Sequence, residues 1–406
     1  MERNWAGNLT YTGRIVRPAD VAQVQEVVAG APAVRALGTR HAFNDLADTG
    51  GVLVSLESLP PDLEPAADTV TVSAGTRYGV LAEALREHGR ALPNLASLPH
   101  ISVGGAIATA THGSGDRNGN LATAVAALEL VGPDGELRRI RRGEPEFAGS
   151  VVALGTLGVV TRVTLDVRPE FEVRQVVYSG VPWAPVLADL DATMASGYSV
   201  SLFTDWTGDR VAQVWVKSTG EPPADLYGVR PATRQVHMID GEPADAVTGQ
   251  LGVPGSSLDR LPHFRLGHKP SSGEELQSEY LVPRHRAVEA IGRLRAAHER
   301  IAPLLHVSEI RSVAADELWL SGAHGHDAVA LHFTWRLDPA GVFALLPDLE
   351  AELLPLGARP HWGKCFAATA RELAPLYPMW TDFDRLRRRA DPSGKFANAY
   401  TERVLG

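Results

Sequence analysis

Ala36-Leu37-Gly38-Thr39-Arg40-His41-Ala42-Phe43-Asn44-Asp45 is the stretch on which the fold turns. It grows out of a short apolar run, Val34 to Leu37, that reads as a strand ending at Gly38. A glycine beside a hydroxyl residue lets backbone N–H groups come close to a pyrophosphate, because no Cβ intervenes. A second stretch of the same character is Ser97-Leu98-Pro99-His100-Ile101-Ser102-Val103-Gly104-Gly105-Ala106, continued by Thr109-Ala110-Thr111-His112-Gly113-Ser114-Gly115. Neither is a dinucleotide fingerprint, since no Gly-x-Gly-x-x-Gly joins a first strand to a helix and no Walker lysine follows. Taken singly, each reads as well as a tight turn as a phosphate loop. A lone histidine after a strand is by default packed or solvated, so His41 gains meaning only from its neighbours.

Around these loops, short strands alternate with helices. Pro18, Ala19 and Asp20 open a helix with Val21, Val24 and Val28 on one face and Gly30 near its end. Val52 to Val54 and Val70 to Val72 are strand-like, and a helix runs from about Gly79 to His88, stopping at Gly89. Leu128 to Val131, the turn Gly132-Pro133-Asp134-Gly135 and Glu136 to Ile140 make a hairpin signal, and Val159 to Val167 alternates as a half-buried strand. The texture changes near Pro169. Beyond it come strand-like runs at Val211 to Val216, Leu305 to Val313 and Ala328 to Leu337. A helix from about Pro283 to Ile301 carries Val288, Ile291, Leu294 and Ile301 at helical spacing. A basic helix, Asp382 to Arg389, then leads into a turn-rich tail.

With 406 residues and 44% apolar content, the chain has ample material for two or three packed units. A net charge of −9 argues against nucleic acid as a partner, which needs a basic face. The single cysteine, Cys365, excludes an internal disulfide and disfavours a cysteine-based metal site. The pattern His324-Gly325-His326-Asp327 has no recognised zinc spacing, so no metal is expected there. No basic start followed by an apolar stretch marks a signal peptide, and no run approaches the roughly 18 apolar residues of a membrane helix. The expectation is a cytoplasmic protein that does not bind membranes, with a monomer as the default.

The second half holds groups suited to polar chemistry. Glu309 and Arg311 lie two apart in a strand-like run and so share a face, which on its own is most simply a surface ion pair. Thr334 sits in Leu331-His332-Phe333-Thr334-Trp335, and Lys364 closes His361-Trp362-Gly363-Lys364. A lone lysine of this kind is by default solvated.

Gly38 to Asp45, Ala96 to Gly105, Thr111 to Gly115 and His361 to Lys364 occur in one order over most of the chain. In combination they resemble the vanillyl-alcohol-oxidase-type flavoproteins, nearest to their sugar-alcohol (alditol or xylitol) oxidase branch, with sugar-lactone oxidases as close relatives. The resemblance implies an α+β fold of two domains: a PCMH-type FAD-binding domain over 1–170 and a mixed α+β substrate (cap) domain over 171–385. A C-terminal tail over 386–406 would return to the FAD domain.

In that family the position of His41 bonds the flavin 8α-methyl carbon through a ring nitrogen, and alkylating the ring raises the flavin's reduction potential. By the same match Ala36, Leu37, Gly38, Thr39, Arg40, Ala42, Ser97, Ser102, Gly105, Thr109, Ala110, Thr111 and His112 would line the cofactor, with Val160 near a backbone contact from 155–160. Ser97, Glu309, Arg311, Thr334 and Lys364 match the family's substrate contacts. Arg311 and Lys364 would face the reacting oxygen, and Lys364 could accept its proton if a neighbouring arginine lowers its pKa. Glu309 would orient the two cations and bond a neighbouring hydroxyl, and Ser97 and Thr334 would bond hydroxyls further along.

The implied reaction oxidises the terminal hydroxyl of an alditol such as xylitol or sorbitol to the aldose. Hydride passes to covalent FAD, and O2 is then reduced to hydrogen peroxide. Ala96 stands where the family controls oxygen access, and an alanine there occurs in oxidases and dehydrogenases alike. The alternatives are a sugar-1,4-lactone oxidase or dehydrogenase, and a non-catalytic flavin- or carbohydrate-binding protein; the presence of Lys364 and Arg311 weighs against the latter.

Overall fold

Asp20 begins the first helix as its sequence suggests: its carboxylate accepts from Gln23 N at 2.8 Å, and Val24 and Val28 of Val21–Gly30 are buried. The helix links two strands, Arg14–Val16 and Val34–Leu37, that flank Val52–Ser55 in a three-stranded parallel sheet. Beside it lies a five-stranded antiparallel sheet in the order Glu64–Pro65, Thr69–Ser73, Val159–Asp166, Val125–Val131, Leu137–Arg141. The hairpin signal at 132–135 joins the last two named strands, with Gly135 at φ +83°. The computed structural model describes residues 2–268 and 274–406.

After Pro169 the chain builds one antiparallel sheet of eight strands. Its order is Gly255–Ser256, Glu172–Pro182, Arg210–Ser218, Ser199–Thr204, Leu305–Val313, Ala328–Arg336, Glu275–Pro283, Arg359–Pro360. Helices Ala287–Ala296 and Pro339–Leu353 pack with it through Ile291, Leu294, Val342 and Leu349.

The long helix read from Pro283 to Ile301 is corrected. It is three pieces: a single 3-10 turn at Arg284–Arg286, the helix Ala287–Ala296, and a short turn at His298–Ile301 after Ala297 leaves helical geometry at ψ +4°. Val288 is 44% exposed, because the buried face is set by Ala287, Ala290, Ile291 and Leu294.

The tail is tied to the first half by polar bonds. Asn398 Nδ2 donates to the carbonyls of Asp45, Leu46 and Asp48, and Lys395 Nζ donates to those of Val28 and Pro133. Arg35 is the buried centre of this arrangement. Its guanidinium donates to the carbonyl oxygens of Leu46, Leu154, Gly155 and Phe396, joining three separate stretches of chain. Burial without a carboxylate partner lowers its pKa to about 10.

Replacing Arg35 by Met leaves those carbonyls without their donor. Arg35→Met is expected to cost roughly 2–4 kcal/mol in urea unfolding. Arg388→Ala, on the exposed face of Trp380–Ala390, should stay within about 0.5 kcal/mol. Equal effects of the two would contradict this account of the tail.

Candidate functional site

The two glycine-rich loops interlock. Ser102 N donates to Thr39 Oγ1 at 3.1 Å, and a Cβ on Gly38 would stand 2.7 Å from Ser102 Oγ, so that approach requires glycine. Arg40 takes a left-handed conformation, φ +64°, and its guanidinium is held by the Glu2 carboxylate. These loops wall a cavity of about 330 Å³ that runs on into the face of the eight-stranded sheet.

Of the residues read from the sequence as cofactor-lining, Ala36, Leu37, Gly38, Thr39, Arg40, His41, Ala42, Ser97, Ser102, Gly105, Thr109, Thr111, His112 and Val160 border the cavity. Ala110, with φ +53°, turns the chain between Thr109 and Thr111, and its methyl group packs into the apolar core.

His41 fits a flavin-bearing loop on physical grounds. Trp5 stacks against it with ring centres 5.6 Å apart and planes 20° from parallel, within an N-terminal segment bonded to the loop through Trp5 N to Arg40 O and Asn4 Nδ2 to Ala42 O. Burial lowers the imidazole pKa to about 4, so the ring is neutral and keeps a nucleophilic nitrogen. Its Nδ1 is buried and has no hydrogen-bond partner among the described residues. A buried polar atom left unpaired on a cavity wall is what a bound group would satisfy.

The substrate-facing groups come together through strand register. Glu309 stands opposite His332, His332 opposite Glu279, and Gln277 opposite Thr334, so neighbouring strands present one polar row to the cavity. Arg311 Nη2 donates to Glu279 Oε1 at 2.6 Å, and Lys364 Nζ donates to Glu279 Oε2 at 2.6 Å. Arg311 Nη1 also donates to Ser97 Oγ at 3.1 Å, reaching across to the second glycine loop. Lys364 Nζ lies 2.7 Å from His332 Nδ1, whose Nε2 is 3.1 Å from Thr334 Oγ1. Burial and Lys364 hold His332 down at about 4, so it is neutral, accepts at Nδ1 and donates from Nε2.

Lys364 is placed by the first loop. Asn44 Nδ2 donates to the carbonyls of Trp362 and Lys364, each at 2.8 Å, and Phe43 N donates to Gly363 O at 2.8 Å. Burial lowers the Lys364 pKa, with Glu279 opposing and Arg311 reinforcing. Burial pushes the Glu279 carboxyl up, but Lys364, Arg311 and His112 outweigh it and hold it well below 4.5.

All five residues read as substrate contacts border the same cavity. The carboxylate that joins both cations is Glu279, which the sequence reading missed. Glu309 Oε2 lies 3.6 Å from Arg311 Nε, and its shorter partner is His263, at 2.7 Å. The signal for Glu279 was the alternation Glu275, Gln277, Glu279 against Leu276, Tyr280 and Val282 in one strand, a polar face on a strand buried on both sides. Among the described residues, no group of three His, Cys, Asp or Glu side chains is arranged to hold a metal ion. No helix among them is long and apolar enough to cross a membrane.

A glycine-lined cavity bordered by a neutral histidine and by the buried pair Arg311 and Lys364 suits a flavin-dependent oxidoreductase. Residues 13–141 match the family model described as an FAD binding domain, and residues 274–404 match D-arabinono-1,4-lactone oxidase. An alditol oxidase from Streptomyces sp. is 48% identical over 99% of this chain and 98% of its own. The L-gulono-1,4-lactone dehydrogenase of Mycobacterium tuberculosis is 29% identical over 99% of this chain and 98% of its own. The crystal structure of cholesterol oxidase from B. sterolicum shares the fold at TM-score 0.80 and 18% identity, covering 100% of this chain and 96% of that one. The chain belongs to the vanillyl-alcohol-oxidase-type FAD-linked oxidases, in the family that holds the alditol oxidases, and is an FAD-dependent oxidoreductase.

Glu279→Gln removes the counter-charge that Arg311 and Lys364 share, which should cost roughly 3–5 kcal/mol of unfolding free energy at neutral pH. Because the folded carboxyl is depressed, this stabilisation is complete above the unfolded value of 4.5 and is lost as the pH falls from there through the folded value. Urea unfolding of both proteins against pH should show the gap narrowing in acid. A gap unchanged down to about pH 3 would overturn the charge argument.

Proposed function

We propose that the protein oxidises the terminal hydroxyl of an alditol such as xylitol or sorbitol to the aldose, with FAD bonded through His41 and O2 accepting the electrons to give hydrogen peroxide. The observation that carries this reading is the convergence of Arg311 and Lys364 on Glu279 at the head of the flavin cavity, among Ser97, Gln277, Glu309 and Thr334. Two cations at one point suit an oxygen that gains negative charge, and several neutral donors and acceptors suit a chain of hydroxyls. We read 1–170 as the FAD-binding domain, 171–385 as the cap over the substrate and 386–406 as a tail clasping the first, in a soluble cytoplasmic monomer.

Bound FAD supplies the acceptor for the hydride. In the unprotonated form that burial favours, Lys364 takes the hydroxyl proton at Nζ and so becomes the ammonium paired with Glu279, while Arg311 stabilises the oxygen it leaves. Glu279 keeps both cations in place, while Ser97, Glu309 and Thr334 orient the remaining hydroxyls. A sugar-1,4-lactone substrate is the second reading, favoured by the family model matched over 274–404. The higher identity to an alditol oxidase supports the polyol.

Yellow colour should survive acid precipitation of the native protein and leave with the supernatant for His41→Ala. Under anaerobic conditions xylitol or sorbitol should bleach the flavin where gulono- or galactonolactone does not, and air should restore it with peroxide. Lys364→Met and Arg311→Ala should each slow bleaching by at least about 100-fold. Near-normal rates in both variants would refute the assignment, and bleaching by lactones alone would select the second reading.

A further inference from the structure

Behind the cavity wall lies a lysine that the reaction as described does not use. Lys217, on strand Arg210–Ser218, is buried and has no carboxylate within bonding distance among the described residues. Its Nζ donates to the carbonyl oxygens of Leu261 and Pro262, the latter at 3.2 Å, and lies 3.1 Å from His263 Nδ1. Three acceptors match the three donors of an ammonium group. The same histidine places Nε2 at 2.7 Å from Glu309 Oε1, on the cavity wall. Phe203 and Trp215 close around its ring at 5.6 and 5.3 Å, and its backbone N–H donates to Ser97 O at 3.1 Å.

We propose that Lys217 is a positioning residue: it sets the tautomer of His263 and through that ring holds the Glu309 carboxylate at the substrate cavity. With the ammonium donating to Nδ1, the ring proton must sit on Nε2, where it donates to Glu309. Without it, the ring proton can move to Nδ1 and bond a freed carbonyl of Leu261 or Pro262. Nε2 would then turn a lone pair toward the carboxylate, and Glu309 would be repelled from its place. The inference rests on the reading that Glu309 touches the polyol.

Protonation of Lys217 gives the relay a pH dependence. The charged and titratable groups that face it are His263, Glu309 and Arg311; opposite it on the adjoining strands stand Ser199 and Gln175, which do not titrate. Burial lowers the lysine to about 7, Glu309 pulling it up and Arg311 down. His263 is held near 4, chiefly by burial, and stays neutral over the working range. As the pH rises through about 7 the ammonium is lost and polyol binding should weaken.

The test compares the native holoenzyme with Lys217→Met, His263→Ala and the double variant, using xylitol. Lys217→Met should raise KM roughly tenfold and change the limiting rate of flavin reduction less than about threefold. The rise in native KM between about pH 6 and 8 should be absent from Lys217→Met. In the His263→Ala background, Lys217→Met should shift KM less than about twofold, because the effect passes through that ring. Lys217→Gln keeps a donor without a charge, and should fold even if Met does not, with an intermediate, pH-independent KM.

A native-like KM in Lys217→Met and Lys217→Gln, or effects that multiply in the double variant, would overturn the relay. If the native flavin is reduced by no polyol, the functional reading has failed instead. The same comparisons, made with the lactone that does reduce it, then decide the relay.

Discussion

Glu279 is the point at which the two halves of the molecule meet. Placing a carboxylate, a guanidinium and an ammonium in one buried cluster is expensive, and it is repaid only when the geometry is good and the remaining lone pairs and protons are bonded. Here each carboxylate oxygen takes one cation at 2.6 Å. Arg311 spends a further N–H on Ser97, and Lys364 on His332. The partners come from three separated strands or loops, so none can be satisfied until the large sheet has closed in register and the glycine loops have docked against it.

That dependence extends to the flavin side. Asn44, three residues after His41, fixes the carbonyls of Trp362 and Lys364, and Tyr400 in the tail bonds Trp362 O from another direction. The loop that carries the histidine therefore also sets Lys364 on the cavity wall. Arg35 and Asn398 hold the same loop from beneath through main-chain oxygens of 45–48. A shift in either loop would change the distance between the cofactor wall and the reacting oxygen, and catalysis is sensitive to displacements of about 1 Å.

The glycine loops were legible only as a pair: each alone reads as a tight turn, and Gly38 of the first must admit Ser102 Oγ of the second. The spacing of Glu309 and Arg311 put them on one strand face, but alone it read as a surface ion pair, and both are buried. Glu279 was not legible, because its role is set by register with Ala328–Arg336 and by Lys364, groups far from it in sequence. Val288 was placed on a buried face by spacing, though alanines at 287 and 290 set the true face. Lys217 follows the buried apolar run Val214-Trp215-Val216, and nothing nearby in sequence announces the histidine it serves.

The charges of the site fit its chemistry in sum as well as in position. In the proposed reaction Lys364 accepts the substrate proton in its unprotonated form, in which two cations (Lys217 and Arg311) face two carboxylates (Glu279 and Glu309). When Lys364 takes up a proton the cluster carries one positive charge in excess, at the moment the substrate oxygen acquires negative charge. On that reading the added charge arises together with the charge it answers, which favours the transition state over the bound alcohol. A second buried carboxylate touching Lys364 would tie the proton to the lysine beforehand. Neutral His332 occupies that position instead, accepting a hydrogen bond without adding charge.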